Sequence, residues 1–89
     1  SIAGKKAELI ALNHRVKEAQ DAVNRWAERA KLAVANGKED LAREALVEKR
    51  KAQEHHDQLA EQITNLEGII AAQTAEIAKM ETWMAQQGH

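Results

Sequence analysis

The side chains best suited to holding a metal or moving a proton are four histidines, His14, His55, His56 and His89, of which two are adjacent. Neighbouring residues on a helix point about 100° apart, so His55 and His56 cannot both reach one ion as an i, i+4 pair can. His56 reads instead as a seam residue opposite the small Ala19, with His55 beside it, and His14 and His89 read as surface or terminal residues. The paired carboxylates Glu39 and Asp40 suit acid–base chemistry only inside a water-excluding pocket. At the start of a helix they serve more simply to face its positive end. Ser1, Thr64, Thr74 and Thr82 are isolated from any base, Gly37 lies in no phosphate-cradling pattern, and cysteine is absent, so there is no thiolate nucleophile and no disulfide. The residues imply no catalytic group, no cofactor and no metal, hence a protein that is not an enzyme.

The remaining candidate chemistry is recognition. Lys38, Glu39, Asp40, Leu41 and Arg43 form a charged cluster just after Gly37, and Glu39 and Arg43 are spaced for a surface ion pair of a few tenths of a kcal/mol. Near the other end Ile77, Met80, Trp83 and Met84 recur at helical spacing. Both groups need an element to position them, and composition says which. The chain has 89 residues, no proline, four glycines and two tryptophans as its only aromatics, and it is rich in strong helix formers. A formal charge of -1, with both signs interspersed, implies no nucleic-acid partner. The longest apolar runs fall far short of the roughly 20 residues of a membrane span. With no secretion signal at the N-terminus, the expectation is a soluble, cytoplasmic protein. The abrupt start inside a helical pattern suggests a piece of something longer.

Apolar residues define the elements. Ile2, Leu9, Val16, Val23 and Ala30 recur every seventh residue, with Lys5, Leu12, Ala19, Trp26 and Ala33 three residues after each. After Gly37 the rows are Ala42, Lys49, His56, Ile63, Ile70, Ile77 and Met84, and Ala45, Ala52, Leu59, Leu66, Gln73 and Met80. These are the a and d rows of a left-handed coiled coil. Asn36-Gly37 is the one plausible reversal, which predicts an all-α antiparallel two-helix hairpin. Helix one should run over about 2–36, the tip over 37–38 and helix two over about 39–87, with arms of about 50 Å and on the order of 70 Å at ~1.5 Å per residue.

If the chain turns at Gly37, facing positions total about 75, because helix connections this short leave little slack. Leu9 then meets Leu66, Leu12 meets Ile63, Val16 meets Leu59, Val23 meets Ala52, Ala30 meets Ala45 and Ala33 meets Ala42. Every a residue faces a d residue. Trp26 falls opposite Lys49, whose stem can lie along the indole, with a modest cation–π contribution. Past Gln73 the second helix has no partner within the chain, so the stripe of Ile77, Met80, Trp83 and Met84 is an exposed apolar overhang awaiting a cover, either sequence before Ser1 or a second copy. An exchanged dimer, with Gly37 straightened, uses the same rows.

The segment WAERAKLAVANGKEDLAREAL, residues 26–46, together with the helical stretch before it, resembles the coiled-coil hairpin of the phage-shock protein A family, which includes the vesicle-inducing protein of plastids and cyanobacteria. The family pattern of a Trp, a KA-x-LAL-like stretch, a short tip and a G-x-EDLAR-x-AL-like return is met by Trp26, Arg29-Ala30, Leu32-Ala33-Val34, Gly37, Glu39-Asp40-Leu41-Ala42-Arg43 and Ala45-Leu46. Arg29 stands where Lys is common and Val34 where Leu is. Beyond Lys51 only the heptad pattern continues.

The resemblance implies a bacterial ESCRT-III-like scaffold, peripheral at the inner membrane, that polymerises with copies of itself and counters membrane stress. It implies an AAA+ transcriptional activator as a further partner, and membrane contact only through an amphipathic segment absent here. It also lends the tip residues Lys38 to Arg43 a role in contacts between subunits. The competing readings are a coiled-coil spacer or adaptor with no membrane role, and a direct membrane-surface binder. The evenly spread charge argues against the second of these.

Overall fold

Residues 1–88 are described in a computed structural model, and His89 lies outside them. Two helices account for nearly all of these residues: α1, Ile2–Ala35, and α2, Glu39–Gln87. They fold back on one another into a rod with extents of 79 × 16 × 14 Å. The length is that of α2, since 49 residues at ~1.5 Å each span about 74 Å.

The reversal is set by Gly37, the one residue with positive φ among the described residues, at 69°. It allows Gly37 N–H to donate to Val34 O (3.0 Å) and Lys38 N–H to donate to Ala33 O (2.8 Å), the two bonds that close a helix in a Schellman motif. α1 therefore stops one residue sooner than the expected Asn36. Asn36 is the C-cap, and both its backbone N–H (3.0 Å) and its side-chain Nδ2 (2.7 Å) donate to Leu32 O. At the other end of α1 the Ser1 hydroxyl accepts from Gly4 N–H at 3.1 Å, an ordinary N-cap. α2 starts at Lys38 with no side-chain cap bond, and Glu39 and Asp40 in its first turn supply the favourable charge instead.

The contact between the helices follows the heptad rows. Buried residues are Leu12, Ala19, Val23 and Ala30 on α1, and Ala42, Ala45, Leu59 and Leu66 on α2. The half-buried residues Ile2, Lys5, Leu9, Val16, Trp26 and Ala33, and on α2 Lys49, Ala52, His56, Ile63, Ile70 and Gln73, complete the same rows. Leu12, Ala19, Leu59 and Leu66 form the continuous core with Leu9, Val16, Ile63 and Ile70 packed against it, all in the half of the two-helix segment away from the tip. Toward the tip the seam narrows to alanine: Ala30, Ala33, Ala42 and Ala45.

Candidate functional site

At the tip, the usual relation between inside and outside is reversed. The seam holds alanines, while the larger aliphatic residues Leu32, Val34, Leu41, Leu46 and Val47 point outward, each more than half exposed. The arrangement follows from the rows: alanine in the seam lets two helices approach closely, and residues one or two positions from a seam residue, as Leu32 and Val34 are from Ala33, Leu41 from Ala42, and Leu46 and Val47 from Ala45, point away from it. On one flank Trp26, Leu32 and Leu41 line a shallow groove of about 730 Å³. Its rim is charged, with Arg29 and Lys38 on one side of the balance and Glu44 and Glu48 on the other.

Arg29 roofs part of this groove. Its guanidinium carbon lies 4.7 Å from the centroid of the Trp26 ring, so the cation over the indole comes from the next turn of the same helix and not from Lys49 across the seam. An i, i+3 pair needs no interhelical register to meet, and the planar guanidinium stacks where an ammonium only approaches. Lys49 is half-buried in its row.

The tip cluster is laced internally. Arg43 reaches Asp40 at 3.2 Å and Glu39 at 3.6 Å, all three side chains well exposed, so these pairs orient Arg43 more than they stabilise the fold. Lys38, Glu39, Asp40 and Leu41 are likewise exposed. The four overhang residues lie at the opposite end of the rod, Ile77 at 44%, Met80 at 56%, and Trp83 and Met84 at 61% exposure. Tip and overhang are thus two separate apolar surfaces.

Between the alanine seam and the distal core, a polar cluster on α2 gathers around the row residue His56. Gln53 Nε2 donates to Asp57 Oδ1 at 2.9 Å, and His56 Nδ1 lies 3.0 Å from the same oxygen. These two contacts, His56 first, hold the Asp57 carboxyl below the usual range for an aspartate. Spacing i, i+4 between Gln53 and Asp57 was its sequence signal. His14 pairs separately with Glu18 at 2.9 Å on the surface of α1. Among the described residues no group of three His, Cys, Asp or Glu is placed to hold a metal, and no helix is long and apolar enough to cross a membrane.

A long antiparallel hairpin with an alanine seam at its closed end and a Trp-lined flank is the geometry on which sequence comparison bears. The profile of the PspA/IM30 family matches residues 1–87. The chain belongs to the PspA/IM30 family. This PspA/IM30 hairpin is 40% identical over 89 residues to the "Membrane-associated protein Vipp1" of Synechocystis, covering 92% of the chain and 32% of that protein. It is 37% identical over 59 residues to the "Membrane-associated protein VIPP1, chloroplastic" of Arabidopsis thaliana, covering 66% of the chain and 18% of that protein. It therefore spans about a third or less of the length of these curated relatives. No solved structure matches it.

Proposed function

We propose that this hairpin is a non-enzymatic assembly module of a membrane-stress scaffold, and that its tip is a contact between subunits of the parent protein. The observation that carries this reading is the reversed tip. Leu32 and Leu41 are held in water with Trp26 along one flank of a seam of alanines, and exposed apolar surface lining a groove marks an interaction site. The charged rim and the pre-oriented Arg43 add directionality, because mixed charges around an apolar centre select partner and register more than they add affinity. A rod 79 Å long and 16 × 14 Å across presents faces, and its role in this reading is mechanical. The same groove is the natural seat for an AAA+ activator where the parent protein has one. The names of the relatives support a parent at the membrane surface, reached through a segment outside these residues.

The test is charge reversal at the tip of a full-length protein carrying this hairpin. Arg43→Glu combined with Leu41→Glu should leave helicity by circular dichroism unchanged and abolish rings or rods in negative-stain electron microscopy. Assemblies of normal number and dimension in that variant would remove the tip from the interface and favour a simple spacer.

A further inference from the structure

The groove on the flank of the tip has walls of opposite charge. Arg29 stands on the α1 wall, Glu44 and Glu48 on the α2 wall, and Trp26, Leu32 and Leu41 supply the apolar surface of the same groove. A guanidinium stacked flat on an indole, as Arg29 is 4.7 Å from the centre of the Trp26 ring, keeps its N–H donors in its own plane, where a carboxylate from outside can reach them. Among the described residues neither Arg29 nor Glu44 is in an ion pair, and Glu48 has only Lys51, at 3.4 Å. Arg29 and Glu48 lie at nearly the same height on the two arms, since facing positions total about 75.

We propose that two copies of the chain pair face to face through this groove, with their tips at the same end, about a two-fold axis along the rod. The pairing rests on the reading of the tip as a contact between subunits, and it specifies the opposing surface as the same groove of a second copy. Charge selects the arrangement. A two-fold axis along the rod lays the α1 wall of each copy on the α2 wall of the other, so Arg29 meets the partner's Glu48 and Glu48 meets the partner's Arg29, two charge-assisted contacts from one pair of residues. A two-fold axis across the rod lays like walls on each other and, centred on the groove, sets Glu44 against the partner's Glu48, acid on acid. In the first arrangement Leu41 comes over the partner's α1 between Leu32 and Asn36, so the exposed aliphatic side chains of one groove cover those of the other. Any other occupant would need an acidic edge and a basic edge at this spacing, and a second copy carries both. One turn below the groove Arg25 faces the partner's Lys51, a like-charge contact that confines the pairing to the tip. Ten residues line the groove, under half of the roughly 20–30 a side of a standard interface, so the pairing is weak.

Sedimentation equilibrium of the 89-residue chain from micromolar to millimolar concentration should show a weak monomer–dimer equilibrium. Arg29→Glu sets acid against acid and Glu48→Arg sets base against base, so each variant alone should be monomeric with helicity unchanged. An equimolar mixture of the two restores both contacts and should dimerise within about tenfold of the parent chain, and Arg25→Gln should tighten the parent dimer several-fold. A nitroxide on Thr82→Cys should report one intermolecular distance below about 50 Å by pulsed electron resonance, whereas tips overlapping from opposite directions, or a dimer exchanged at Gly37, would hold the labels more than about 100 Å apart. A monomer at millimolar concentration, a dimer indifferent to both charge variants, a mixture that stays monomeric, or only the long distance would each overturn the pairing. If one of these results accompanies loss of rings or rods in the full-length Arg43→Glu, Leu41→Glu protein, the tip remains a subunit contact and its opposing surface is a different one; normal assemblies there remove the tip reading itself.

Discussion

Leu59→Ala asks whether the distal seam carries the fold. Leu59 is 5% exposed and packs in the cluster with Leu12, Ala19 and Leu66. The change deletes three buried carbons, and at about 0.8 kcal/mol for each the transfer loss is roughly 2.4 kcal/mol. A fully enclosed core would add a large cavity term, but a two-helix seam is one layer deep and open along both flanks, so water and neighbouring side chains fill much of the space. The expected total is about 2.5–3 kcal/mol, at the low end for such substitutions, and alanine's helix propensity offsets only a few tenths. For a domain of this size that lowers the melting temperature by roughly 10–20 °C. The assay is thermal and urea unfolding followed by circular dichroism, with Leu41→Ala as the reference. Leu41 is 51% exposed, and its truncation should cost no more than about 0.5 kcal/mol. If the two variants melt within a couple of degrees of each other, the arms are not zipped through Leu59 in solution, and the register argument fails with them.

Two further outcomes follow from other parts of the rod. Gly37→Ala places a Cβ in a left-handed backbone at φ 69°, where no neighbouring atom would clash, so the expected loss of about 1–2 kcal/mol is purely conformational and should appear in the urea midpoint with the helical signal intact. Asp57 has a depressed pKa when folded, so its contribution is present above the unfolded value and lost as pH falls through the folded one. Its full exposure keeps the effect small. Asp57→Asn should therefore lose less stability than the parent chain on acidification below about pH 4, and coincident acid limbs in urea titrations would show that the His56 and Gln53 contacts do not persist.

Much of the fold was legible because a coiled-coil seam is written directly as spacing. Leu9, Leu12, Val16, Leu59 and Leu66 lie in the seam for the same reason that they recur at alternating threes and fours, and Gly37 is the reversal because an l-residue with a side chain resists its backbone angle. What spacing does not encode is the choice among partners equally near. Trp26 has Lys49 across the seam and Arg29 one turn along, and the stacking of a planar guanidinium decided between them. Attention to the seam also hides what lies off it. Leu41 was singled out with the tip cluster, but the outward Leu32, Leu46 and Val47, also large aliphatics outside both rows and close to Gly37, are discarded by a pattern search that rewards a and d positions. The cluster of Gln53, His56 and Asp57 escapes for the same reason, since only His56 lies in a row.

The polar rungs help to fix the register of the two arms. Lys49 and His56 are half-buried in the seam, and a register that turns at Gly37 sets them against Trp26 and Ala19. Sliding one arm by a heptad would set Trp26 against His56 in one direction, or Leu12 against His56 and Ala19 against Lys49 in the other, and either slip would also dismantle the cap at Gly37. Either slip costs the Schellman bonds as well as the matched rungs, so the register that turns at Gly37 is favoured over its neighbours at the cap and along the seam at once.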